Sequence, residues 1–123
     1  MFKINDDQSV YVTRGDVCII SVKATKDGET YTFEAGDTVR INVFAKKGCG
    51  SVALSKDVPV LAPTDTVDVY LGEDDTRIGD VISKPVDYWY EIQLNPDTAP
   101  QTIIGYDDNG PKVFRLYPEG KDL

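Results

Sequence analysis

The side chains that could do chemistry in this chain are carboxylates and two thiols, because it contains no histidine. That removes the usual general base, the usual activator of a Ser or Cys nucleophile and the commonest metal ligand. The acidic clusters fall at turns. Glu73-Asp74-Asp75 opens a stretch that reads as one helical turn from Gly72 to Gly79, and acids at a helix start complement its dipole, so a cap explains them better than a catalytic pair. Asp107-Asp108-Asn109-Gly110 shares letters with a calcium loop, but Tyr106 stands where a further acid is needed and Leu116 where the bidentate Glu should be. It reads as a hairpin turn. Arg14-Gly15-Asp16 spells a tripeptide that some adhesion receptors bind, yet here it leads tightly into a strand, and Gly-Asp is a common turn pair. Cys18 lies in an apolar run and reads as a small buried hydrophobe; Cys49 lies in the turn Gly48-Cys49-Gly50, so both are expected as free thiols. The sequence has no phosphate-cradling glycine loop, no zinc-type cysteine spacing and no basic-aromatic strip, and no metal or other cofactor is expected.

The elements that would position any site are strands. Short aromatic or β-branched runs alternate with Pro, Asp, Asn and Gly, most densely in Tyr88–Leu94, Thr102–Tyr106 and Lys112–Tyr117. Cys18, Ile20, Val22 and Ala24 share one face of a strand, and Val39, Ile41, Val43 and Ala45 share one face of another. Gly15-Asp16 and Gly36-Asp37 precede these two segments in the same way, so they read as neighbouring strands entered by one device. Val10–Thr13, Tyr31–Phe33, a weak Ser51–Leu54 and Thr66–Leu71 add further strands. Val58–Pro63, with two prolines, is confined to an edge or a crossing. Asp27-Gly28 and Asn109-Gly110 are the hairpin signals. The expected fold is all-β: one domain over 1–123, two packed antiparallel sheets or a curled barrel, with at most one short helical turn.

With 21 acidic and 13 basic residues the net charge is −8, which disfavours phosphate backbones and anionic membranes as partners. The first residues lack the apolar core of a secretory signal, so synthesis without a cleavable signal is expected; a virion location stays open, since lysis releases virions. The surplus lies in aromatics. Alternation buries Tyr90, Ile92 and Leu94 and turns Trp89 to the opposite face; Phe44 and Tyr70 likewise oppose their strands' inward sets. Outward Phe44, Tyr70 and Trp89 are the candidate binding residues, as a docking patch or a sugar platform, unless a second layer covers them.

The ordered series Gly15-Asp16, Asp27-Gly28, Tyr31–Phe33, Ala35-Gly36-Asp37, then Asp75-Thr76, Gly79, Tyr88–Leu94 and Thr102–Ile104 resembles the N-terminal domain of upper baseplate proteins from tailed phages and prophages of Gram-positive bacteria. The likeness runs from about Val10 to Tyr117. It implies a non-enzymatic β-rich module that fastens a receptor-binding apparatus to the tail tip, works by protein–protein docking with other tail or baseplate proteins, and assembles as a homo-oligomer, in that family a trimer. The loop Asp80–Asp87 has no counterpart there, and no functional residue carries over. A small glycan-binding β-sandwich is the rival; it requires Trp89 exposed beside polar groups in a groove. A carboxylate hydrolase would require two acids from different turns converging in one cleft.

Overall fold

The computed structural model describes residues 1–45 and 52–123, and within them the chain is all-β. Eleven strands appear among the described residues: β1 Phe2–Ile4, β2 Val10–Thr13, β3 Cys18–Val22, β4 Thr25–Lys26, β5 Glu29–Thr30, β6 Thr38–Phe44, β7 Val52–Pro59, β8 Val67–Leu71, β9 Val86–Leu94, β10 Gln101–Ile104 and β11 Lys112–Tyr117. The large sheet runs β1-β2-β11-β9-β6-β7, with β10 also on β9. β3 and β8 form a separate two-stranded sheet, and β4–β5 is a small hairpin. The ladders are antiparallel except β2–β11, which is parallel. Almost the whole chain separates those two strands, so no tight turn forces them to run in opposite directions.

The two sheets face each other across one core, and alternation decides which residues enter it. From the large sheet come Val10, Val12, Val39, Ile41, Val43, Tyr90, Ile92, Phe114 and Leu116; from the small one Cys18, Ile20, Val22, Val69 and Leu71, all buried. Apolar alternation on two strips is what a sandwich needs, because each sheet hides one face and solvates the other. Phe33, Val60 and Ile78 close the core from loops.

Four expectations change. β3 and β6 are not neighbours: they sit in opposite sheets, and Cys18, Ile20 and Val22 from one meet Val39, Ile41 and Val43 from the other in the same core, while Ala45, expected inward with them, lies past the end of β6 and is exposed. The shared Gly-Asp entry is nevertheless real, since Gly15 and Gly36 both take positive φ, +87° and +97°, where a Cβ would be strained. Tyr31–Phe33 is not a strand; Phe33 only bridges Thr64 through paired backbone bonds of 2.8 and 3.0 Å. The weak strand and the first two residues of the proline-bearing segment, Val58 and Pro59, join in one edge strand, β7, with Pro59 at its last position, where it interrupts no central ladder; residues 60–63 lie beyond the strand. The stretch after Gly72 closes as a turn, with Asp75 and Thr76 N–H donating to the Gly72 carbonyl at 3.0 and 3.2 Å, and does not propagate into a helix. The helical turn is instead a 3-10 turn at Gly120–Asp122. The Gly48-Cys49-Gly50 turn lies outside the described residues.

Candidate functional site

The acidic clusters are committed to structure. Asp75 accepts from Lys56 Nζ at 2.7 Å and from Gly72 N–H at 2.8 Å; burial works against its charge, but these donors hold its carboxyl below the ordinary range. Asp107 accepts from the buried Lys112 ammonium at 2.7 Å and from Asn109 N–H at 2.9 Å, which lowers its pKa and closes the Asp107–Gly110 hairpin. Asp37 is opposed by burial and still lowered by Glu34 N–H, Asn95 and Tyr31. Arg14-Gly15-Asp16 is pinned: the Arg14 guanidinium donates to the Gly79 carbonyl at 3.0 Å, and Gly15 N–H donates to the Thr76 hydroxyl at 3.0 Å. Among the described residues no group of three or more His, Cys, Asp or Glu is placed to hold a metal ion.

Cys18 is buried and free, and burial pushes its thiol up to about 11, so it carries no thiolate near neutrality. Burial also raises the Tyr90 pKa, and that neutral hydroxyl donates to the Gln8 carbonyl.

The outward aromatics fall on two surfaces. Phe44 on β6 stands opposite Trp89 on β9, and both are half-buried on the outer face of the large sheet. Val52 on β7 and Val113 on β11 flank them in register, so Val52–Phe44–Trp89–Val113 forms an apolar row across four strands. Tyr70 is elsewhere, 51% exposed on the outer face of the small sheet, with Lys56 Nζ 5.7 Å from its ring centre. Its cross-strand partner is Ile19, 38% exposed, and Val17 lies on the same side. Among the described residues β3 and β8 pair only with each other, so each has one backbone edge without a neighbouring strand there. Val17, Ile19, Val52 and Val113 escape a sequence reading because a single apolar residue in an outward slot is common.

A polar cleft of about 400 Å³ lies between β10 and the segment running from β3 into the β4–β5 hairpin, lined in part by Gln8, Lys23, Lys26, Tyr31 and Gln101. Trp89 is not among its lining residues. The fold and these surfaces define an all-β sandwich with a broad sheet packed on a narrow one. The chain matches no protein-family model, no curated protein and no solved structure.

Proposed function

We propose that this chain is a non-enzymatic structural module of a phage or prophage tail baseplate, acting by docking onto other tail proteins and onto copies of itself. The ordered Gly-Asp, Asp-Gly and aromatic-strand blocks supply the resemblance. The observation that carries the docking role is the outer face of the small sheet. Val17, Ile19 and Tyr70 form an exposed apolar patch on a sheet that, among the described residues, has two strands, each with one edge unpaired. Apolar surface beside unpaired backbone favours association with another polypeptide. The Val52–Phe44–Trp89–Val113 row adds apolar side chains on the outer face of the large sheet, with Val52 the exposed end of it.

Light scattering on the purified chain, alone and mixed with the products of genes flanking its own, tests the reading. A multimer or a stoichiometric complex that Ile19→Glu disrupts is expected. A strict monomer that binds a sugar through Trp89 on a glycan array would overturn it.

A further inference from the structure

The three outermost positions of the large sheet are not protected alike. Exposed edge strands invite pairing with other chains, and proteins blunt them with inward charges, prolines and bulges. β7 carries all three: Lys56 opposite the buried Ile41 on the core side, Pro59 at its end, and a register shift opposite Val43 and Phe44. β10 has a register shift between Thr102 and Ile104. β1 has none of these three; what guards it is its three-residue length and the outward Lys3, a charge that an acid on a partner would neutralise. Its three residues pair in straight register with β2, Phe2 with Val12, Lys3 with Tyr11 and Ile4 with Val10.

Cross-strand register then extends across four strands. Phe2–Val12–Leu116–Val86 and Ile4–Val10–Phe114–Tyr88 are two apolar rows on the core side. Val10, Val12, Phe114 and Leu116 in these rows are fully buried, whereas Phe2 is 46% and Ile4 41% exposed, so the cover over the core stops short of β1. On the outer face Lys3–Tyr11–Arg115–Asp87 forms a third row. Within it Arg115 bonds Asp87 at 2.6 and 3.3 Å, and its guanidinium carbon lies 4.9 Å from the Tyr11 ring centre. Lys3, at the open end of that row, has no ion pair among the described residues.

We propose that β1 is the acceptor edge for an extended segment of a partner protein whose central residues read apolar–acidic–apolar. A strand laid along β1 puts its middle side chain beside Lys3 on the outer face and its flanking side chains beside Phe2 and Ile4 on the core side. An acid in the middle pairs the free ammonium, and apolar flanks continue the two rows and cover the half-exposed side chains. The pattern reads the same in either strand direction. A second copy fits worse: two β1 strands paired antiparallel about their centres set Lys3 against Lys3, and like charges directly opposed are unfavourable. The inference rests on the docking reading and names the partner chemistry at one edge.

The test is an NMR titration of the isotopically labelled full chain with a short peptide centred on valine–aspartate–valine and with its valine–lysine–valine counterpart. Shifts confined to the amides of β1 and β2, with the acidic peptide about fivefold tighter, are expected from a cross-strand charge pair. Lys3→Glu, an exposed change, should invert that preference, and Phe2→Ser should weaken both peptides. Equal affinities, shifts away from β1, no binding, or self-association through β1 that Lys3→Glu leaves intact would each overturn the assignment. If the peptides fail while Ile19→Glu still releases a bound tail protein, the edge assignment falls and the docking reading stands.

Discussion

Replacing Thr76 with valine should destabilise the protein by about 2–3 kcal/mol, because one buried hydroxyl ties two distant turns together. Thr76 is fully buried. Its oxygen accepts the Gly15 N–H at 3.0 Å and donates to the Asp16 carbonyl at 2.8 Å, joining the β2–β3 turn to the β8–β9 connection. Valine keeps nearly the same shape and removes both bonds. Each backbone group left buried without a partner costs about 1–3 kcal/mol. Gly15 and Asp16 are only half-buried, so water recovers part of that loss and the sum settles toward the lower end. For a chain of this size roughly 4 °C accompanies each kcal/mol, so Tm should fall by about 8–12 °C. Thr76→Ser is the control. It keeps both bonds and deletes one buried methyl, for about 1 kcal/mol. Urea unfolding followed by circular dichroism reads both variants. If Thr76→Val stays within about 0.5 kcal/mol of the parent, or if serine proves worse than valine, packing and not hydrogen bonding holds the turns, and the argument fails.

Three further outcomes follow from the same contacts. Cys18 should resist thiol reagents in the native state and react only on unfolding, since burial pushes its pKa up to about 11; rapid native labelling of Cys18, mapped by peptide mass, would contradict its burial. Asp57, held by Arg40, Asp107, held by Lys112, and Asp37, held by Glu34 N–H, Asn95 and Tyr31 against its burial, all have pKa values lowered by folding. Their contribution to stability is therefore complete above the unfolded carboxylate value of about 4 and is lost as pH falls through the lower folded values. Urea midpoints that stay level or rise under acid conditions would refute it. Phe33→Ala should cost about 3–5 kcal/mol although Phe33 lies outside every strand, because it is fully buried; a loss under about 1 kcal/mol would remove the loop from the core.

Much of the fold was legible because burial on one face leaves a period-two trace. Cys18-Ile20-Val22 and Val39-Ile41-Val43 could be assigned inward from the letters alone, and Asp27-Gly28 turns as read, with φ of +54° and +81°. Alternation names a face and not a neighbour. It could not say that β3 and β6 belong to opposite sheets, or that β2 runs parallel to β11. β1 was missed because three residues are too few for a periodic signal. Tyr31–Phe33 looks like a strand, but its hydrogen bonds go to Ala24 and Thr64 and form no continuous ladder. The outward direction of Phe44, Tyr70 and Trp89 was legible; their grouping was not. Cross-strand register joins Phe44 to Trp89 and leaves Tyr70 on the other sheet with Ile19.

The exposed faces and edges of the sandwich carry the proposed role, and sedimentation velocity probes that claim most directly. The chain is run with the proteins encoded beside its gene, as the parent and as Ile19→Glu and Phe2→Ser variants. Co-sedimentation at fixed stoichiometry, weakened by substitution at either surface while the variants stay folded, is the predicted result. A parent that sediments alone as a monomer in every mixture would contradict it.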